Sequence, residues 1–202
     1  MQGNYVVIEG IDGSGKTTLA DNLVKEINET EESAVKLQEP YNEEIIKIIN
    51  EVKENGDEIR DEETILTNLF AADRLCLKDL IFDYTYAGVH VICDRSKYSS
   101  YAYQDIDLLY NSMINRKMMD PDGLLYLDID PKIALTRVNG GDKFETRKKL
   151  IQTRNWYREN LPVITKSQNI NYAYLDVTPY SPDQITAFFM NALRQLELIR
   201  SE

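Results

Sequence analysis

The chain has 202 residues, 34 of them acidic against 23 basic, for a formal charge of −11; this surplus excludes a general nucleic-acid surface, which needs a basic stripe to follow a phosphate backbone. The length suits one domain whose core does without disulfides or structural metal, and Cys76 and Cys93 lie in apolar surroundings without metal-ligand spacing, so buried thiols in a reducing compartment are expected. No apolar run approaches the ~20 residues of a membrane span and the first strand begins too early for a signal peptide, so a cytosolic location is expected.

Tyr5-Val6-Val7-Ile8 is a short, β-branched apolar run of the kind that forms a buried strand. Directly after it, Gly10-Ile11-Asp12-Gly13-Ser14-Gly15-Lys16-Thr17 fits the phosphate-binding pattern Gly-x4-Gly-Lys-[Ser/Thr], with Thr18 following. Leu19, Ala20, Leu23, Val24 and Ile27 then recur at helical spacing. Strand, loop and helix in this order turn the backbone N–H groups inward as a cage for an anion. Lys16 would reach the β- and γ-phosphates of a nucleoside triphosphate, and the Thr17 hydroxyl would hold Mg²⁺. A chance match in a glycine-containing turn is outweighed by the strand and helix around it.

Residues 34–38 read as a second strand, ended by Glu39-Pro40. Ile45, Ile48, Ile49 and Val52 share one helical face, and Asn55-Gly56-Asp57 stops that helix. A longer helix is predicted over residues 62–84, with Ile65, Leu69, Ala72, Cys76 and Leu80 as its buried stripe. Residues 89–93 form a third strand, helical patterns fill 97–119, and residues 124–127 form a fourth strand. Pro131 opens a short helix interrupted at Asn139-Gly140-Gly141-Asp142, after which a basic segment leads into a helix over 150–166. A fifth strand at 171–175 and a terminal helix facing inward with Ile185, Phe188, Phe189, Ala192, Leu193 and Leu196 complete the chain. Strands separated by helices, without repeats, predict an α/β fold: a mostly parallel five-stranded sheet with helices on both faces. Ligands of such sheets bind beyond the carboxyl ends of the strands, where the motifs of this chain lie.

The third strand runs into Asp94-Arg95, followed by Ser96-Lys97-Tyr98-Ser99-Ser100-Tyr101-Ala102-Tyr103-Gln104. A carboxylate there is placed to hold Mg²⁺ directly or through water, and Arg95 beside it presents a planar fork to a phosphate. Taken singly, Asp94 reads equally as a helix N-cap and Arg95 as a surface ion pair; the phosphate loop tips both toward function. Residues 94–104 match the signature Asp-Arg-x-x-x-Ser-Ser-x-Ala-Tyr-Gln, and here the chain resembles the thymidylate kinases. The resemblance extends over nearly the whole sequence, through Glu39-Pro40, Leu69-Phe70-Ala71-Ala72-Asp73-Arg74, Pro121-Asp122, Leu127-Asp128, Ala134-Leu135-x-Arg137, and Arg154 with Tyr157.

The resemblance implies a P-loop nucleoside monophosphate kinase architecture, with ATP as donor, Mg²⁺ at Thr17 and Asp94, dTMP as acceptor, and a homodimer. It implies that Phe70 stacks on the thymine, although helical periodicity alone reads Phe70 as core. Arg74 would meet a thymine carbonyl, Ser100 the base edge and Tyr103 the sugar, where it disfavours a 2′-hydroxyl. Arg95 would bind the acceptor phosphate, with Asp12 near the acceptor's sugar and phosphate and Glu39 in the same site. Gln104 ends the signature, but a surface helix residue reads nearly as well there. Arg154 and Tyr157 share a helix face near the acceptor or lid, or form a packing pair. His90, the one histidine, lies within a strand and reads as structural.

Two departures from the family pattern stand out. Gln38 precedes Glu39-Pro40 where many members have an arginine, and Gly13 occupies a loop position where one class of the family has an arginine. The other class carries its arginines in a mobile lid, and the lid candidate at 138–149 offers Lys143 and Arg147, with Arg137 just before it. A solvated basic turn is the bland alternative for this segment. Two other functions remain open: a kinase for another acceptor, and a nucleotide-gated switch, although the guanine-reading Asn-Lys-x-Asp motif is absent.

Overall fold

The computed structural model describes residues 2–138 and 146–200. Five parallel strands, β1 (Tyr5–Glu9), β2 (Ala34–Gln38), β3 (His90–Asp94), β4 (Gly123–Asp128) and β5 (Asn171–Asp176), form one sheet in the order β2-β3-β1-β4-β5. The helices are α1 (Lys16–Asn28), α2 (Glu43–Glu54), α3 (Glu62–Tyr86), α4 (Lys97–Tyr103), α5 (Leu108–Asn115), α6 (Pro131–Arg137), α7 (Arg147–Gln168) and α8 (Pro182–Gln195), with a 3₁₀ turn at Gly56–Glu58. Parallel neighbours cannot be joined by hairpins, so each strand returns through a helix. Those helices cover the sheet, which is why β1, β3 and β4 are buried along their whole length and can be almost uniformly apolar. β1 is central, between β3 and β4, so its carboxyl end delivers the phosphate loop to the middle of the sheet's ligand-binding edge.

The expected buried stripe of α3 is corrected by the structure. Leu66, Thr67, Ala71, Arg74, Leu77, Ile81 and Thr85 turn inward, while Ile65, Ala72 and Cys76 are exposed and Leu69 and Leu80 only partly covered. The helix is apolar on two adjacent stripes, and both satisfy a 3.6-residue period, so periodicity alone does not say which one meets the sheet. Cys76 is therefore an exposed thiol, whereas Cys93 is buried as expected. On α8, Phe189, Met190 and Leu193 are buried and Phe188 faces outward.

A small second core forms where α2 meets α3: Ile49, Val52 and Leu66, with Ile45, Ile59, Leu69 and Phe70 packed against it. It stands apart from the main core, so α2 forms the outer wall of a cleft. Asp73 ties this wall down by accepting the backbone N–H groups of Tyr41 (2.9 Å) and Asn42 (2.7 Å). His90 is structural, its Nδ1 accepting the Asn4 N–H at 3.1 Å.

Candidate active site

The loop between β1 and α1 closes on itself. Gly15 at the N-cap and Gly13 have φ of +95° and +78°, the left-handed region that favours glycine. At Gly13 a Cβ would stand 2.5 Å from the carbonyl oxygen of Ala134, so the loop lies flush against α6 and no side chain fits. Lys16 curls back, its Nζ donating to the carbonyl oxygens of Gly10 (2.9 Å) and Ile11 (3.0 Å). Burial and the neighbouring Arg95 lower its pKa to about 8, against the partial support of Asp12 and Asp94.

Thr17 donates its hydroxyl to Asp94 Oδ2 at 2.6 Å, and the other oxygen, Asp94 Oδ1, is buried with no partner among the described residues. Asp94 is not a helix cap; Ser96 caps α4. Arg95 takes φ +76°, uncommon outside glycine, which turns its guanidinium back over the loop to Asp12 Oδ1. The Asp12 N–H donates to the Tyr103 hydroxyl at 3.0 Å, and the Arg95 guanidinium lies 5.4 Å from the Tyr103 ring. Burial is the largest influence on both and opposes each charge, but Arg95, Lys16 and Tyr103 together hold Asp12 below the usual carboxylate range, and Asp12 with Tyr103, Tyr157 and Asp94 raises Arg95 further.

Two cavities meet at this pair. One, of about 450 Å³, is walled by Gly13–Leu19, Gln38, Asp94 and Arg137, together with Tyr180, Pro182 and Ile185 from the start of α8 and the turn before it. The other, of about 200 Å³, lies between α2, α3 and α4 and is lined by Glu39, Phe70, Arg74, Ser99, Ser100, Tyr103 and Gln104. Asp12 and Arg95 line both. Of the loop residues proposed to hold phosphate, Ser14, Thr17 and Thr18 face the first cavity, while Ile11 is core and serves through its carbonyl.

At the floor of the second cavity Arg74 is 2% exposed. Its Nε donates to Glu39 Oε2 at 2.6 Å and its Nη2 to Ser100 Oγ at 2.7 Å. Burial pushes the Glu39 carboxyl up, and Arg74 draws it back. Phe70 is both things its sequence position offered: it packs on the second core and presents the rest of its ring to the cavity. Gln104 is buried, bonded by Thr67 Oγ1 at 3.3 Å, and so is not a surface helix residue.

One group behind the site, Glu9, carries no sequence motif of its own. At the end of β1 it accepts hydroxyl hydrogens from Ser96 (2.6 Å), Ser99 (2.8 Å) and Tyr157 (2.8 Å), and burial raises its pKa. Tyr157 thus acts below the site, while Arg154 leaves it: Arg154 grips Asp128 through Nε at 2.5 Å and Nη2 at 2.9 Å. Of the lid candidates, Arg137 Nη1 donates to the Gly13 carbonyl oxygen at 3.3 Å and Arg147 begins α7 in an exposed position. Lys143 lies outside the described residues.

Comparison with known proteins agrees over most of the chain. A family model described as thymidylate kinase matches residues 8–183. A thymidylate kinase of Leptospira interrogans is 38% identical over 168 residues, covering 78% of this chain and 81% of its own. Probable thymidylate kinases of Methanosphaera stadtmanae (37% over 180 residues, covering 87% and 90%) and Methanocaldococcus jannaschii (35% over 184, covering 90% of each) are similar at comparable depth. The structure of the Candida albicans thymidylate kinase superposes with a TM-score of 0.80, covering 100% of this chain and 96% of that one at 23% identity, which establishes a common fold.

Proposed function

The chain belongs to the thymidylate kinase family and phosphorylates dTMP to dTDP with ATP, a step of nucleotide biosynthesis, and we propose that its two joined cavities divide that work between donor and acceptor. The observation that carries the assignment is the shared wall. Asp12 and Arg95 border both cavities, so groups held in each meet at that pair.

In this reading the loop from Gly10 to Thr18 cradles the triphosphate of ATP, and Lys16 leaves its carbonyl partners to pair with the β- and γ-phosphates. Tyr180 and Pro182 wall the adenine end. The unpartnered Asp94 Oδ1 beside the Thr17 hydroxyl fits a hard cation held by one carboxylate and by substrate phosphates. Mg²⁺ bound by Thr17 and Asp94 would neutralise charge on the donor phosphates. Arg95 holds the acceptor phosphate in line, with Asp12 fixing the guanidinium. Phe70 stacks on the thymine, Arg74, Ser100 and Gln104 meet its edge, Glu39 steadies Arg74, and Tyr103 packs against the sugar. Arg137, already at the loop, is the cation we assign to the transferring phosphoryl group, with 138–149 as the lid of a single domain.

The outward stripe of α3 supports a homodimer: Leu75, Phe82 and Tyr86 are 44%, 51% and 76% exposed, a row that a second copy would cover. No described helix is long and apolar enough to cross a membrane, and we place the enzyme in the cytoplasm. The test is ADP release with MgATP against dTMP, dUMP, dCMP, GMP and thymidine. dTMP should stimulate most, and Arg95→Ala should lower kcat/KM for dTMP by about 10²-fold or more while ATP still binds. Little change on dTMP would overturn the role given to Arg95.

A further inference from the structure

The last residue of α5, Asn115, is 1% exposed and belongs to no motif of the sequence. Its Oδ1 accepts from Arg74 Nη1 at 2.9 Å, and its Nδ2 donates to both the backbone carbonyl oxygen and Oδ1 of Asn111, one helical turn back, at 2.9 Å each. The direction of this amide is forced from both sides. A guanidinium only donates and a backbone carbonyl only accepts, so the Asn115 carbonyl must face Arg74 and its NH₂ must face Asn111. Asn111 is itself 2% exposed, so water does not compete for either bond.

Arg74 is thereby clamped from three directions. Glu39 takes Nε, Ser100 takes Nη2 and Asn115 takes Nη1, each through an oxygen brought from a different element. Those three bonds use three of the five guanidinium N–H groups and leave one on each terminal nitrogen, on a side chain that lines the acceptor cavity. Glu39 and Ser100 also line that cavity, whereas Asn115 does not. It acts from behind.

We infer that Asn115 is a positioning residue for base selection, holding the Arg74 guanidinium so that its remaining donors meet a ring carbonyl. The inference rests on the reading that Arg74 faces the base edge. With the fork fixed, a C4 carbonyl, as in thymine or uracil, accepts from it. The C4 amino group of cytosine would set N–H against N–H, and a clamped guanidinium cannot turn away to relieve that clash. Loss of the clamp therefore weakens dTMP binding and also loosens the rejection of dCMP.

The test compares Asn115→Leu, which keeps the size and removes the acceptor, with Asn115→Asp, which keeps an oxygen toward Arg74. KM, kcat and the ratio of kcat/KM for dTMP to that for dCMP are measured for each. The leucine variant should raise KM for dTMP by about tenfold, as the freed guanidinium forfeits most of its charge-assisted hydrogen bond to the ring carbonyl, and lower the dTMP to dCMP ratio, while kcat changes much less. The aspartate variant keeps the acceptor for Arg74 but sets its second oxygen against the Asn111 carbonyl oxygen, so it should lose stability, read as a lower Tm, while staying closer to wild type than the leucine variant in both KM and ratio. Asn115→Ser, too short to reach the guanidinium, repeats the leucine test should that variant fail to fold. Wild-type KM and ratio in the leucine or serine variant, or equal defects in the leucine and aspartate variants, would overturn the inference. Arg74→Met is measured alongside: if it leaves both quantities unchanged, the base-edge reading of Arg74 fails, and if it alters them while Asn115→Leu does not, only the role of Asn115 fails.

Discussion

The buried ammonium of Lys16 makes ATP binding a proton-linked event in a window where few other groups titrate. Burial and Arg95 depress its pKa from 10.5 to about 8 in the free protein. A triphosphate laid against the ammonium supplies the opposing charge that the site lacks and restores the pKa toward 10.5 or above. Only the protonated form binds well, so affinity should follow the protonated fraction: nearly full at pH 7, about half at pH 8 and about one part in eleven at pH 9. The dissociation constant for MgATP should therefore rise by about tenfold between pH 7 and pH 9. Uptake should approach about half a proton per ATP at pH 8 and about one at pH 9.

The terminal phosphate of the nucleotide titrates lower, with a second pKa of about 6 for a phosphate ester, while Tyr103, Tyr157 and Cys93 are all pushed upward by burial. Isothermal titration at pH 7, 8 and 9, each in two buffers of different ionisation enthalpy, reads both quantities. Lys16→Met should bind more weakly, with no pH dependence across this range. The unfolded chain keeps the Lys16 proton up to about 10.5 and the free folded protein loses it near 8, so the free protein should gain stability as pH rises between those values. A dissociation constant that stays flat from pH 7 to 9, with buffer-independent heats, would refute the reasoning from burial.

Gly13→Ala should leave the fold in place but raise the dissociation constant for MgATP by about tenfold or more, because φ of +78° and a Cβ 2.5 Å from the Ala134 carbonyl force the loop off α6; unchanged ATP affinity would count against the loop geometry. Glu9→Gln puts a donor among three hydroxyls that now donate, and should cost about 1–3 kcal/mol, read as a Tm lower by roughly 5 °C. Because the folded pKa of Glu9 is raised, its contribution to stability declines as pH climbs above 4.5, and the variant should lose that part of the pH dependence. In sedimentation the wild type should run as a dimer and Phe82→Asp as a monomer, since the substitution sets a charge in the exposed row of α3; a monomeric wild type would refute the dimer.

Chemistry built from consecutive residues was legible without a structure. The phosphate cage is made by neighbouring backbone N–H groups, so its glycines, Lys16 and Thr17 must be contiguous and must follow a strand. Alternation of apolar runs and helical spacing likewise determined the parallel sheet and the location of all five strands. The signature at 94–104 named Asp94, Arg95, Ser100, Tyr103 and Gln104, and all five reach the cavities because only Arg95 and Ser96 separate α4 from β3.

Tertiary structure alone decided what depends on which surfaces face each other. Both apolar stripes of α3 satisfy helical periodicity, and the buried one carries Asp73 and Arg74, which hydropathy assigns to solvent; they turn inward because the 41–42 loop and Glu39 supply partners there. Arg154 joins Asp128 and leaves the acceptor because the end of β4 offers a buried carboxylate within reach of α7. The clamp on Arg74 gathers Glu39, Ser100 and Asn115 from 35, 26 and 41 residues away. A strand end, a helix and a helix terminus meet there only once the sheet has set its order and α3 has chosen its inward face, and no spacing along a chain encodes that meeting.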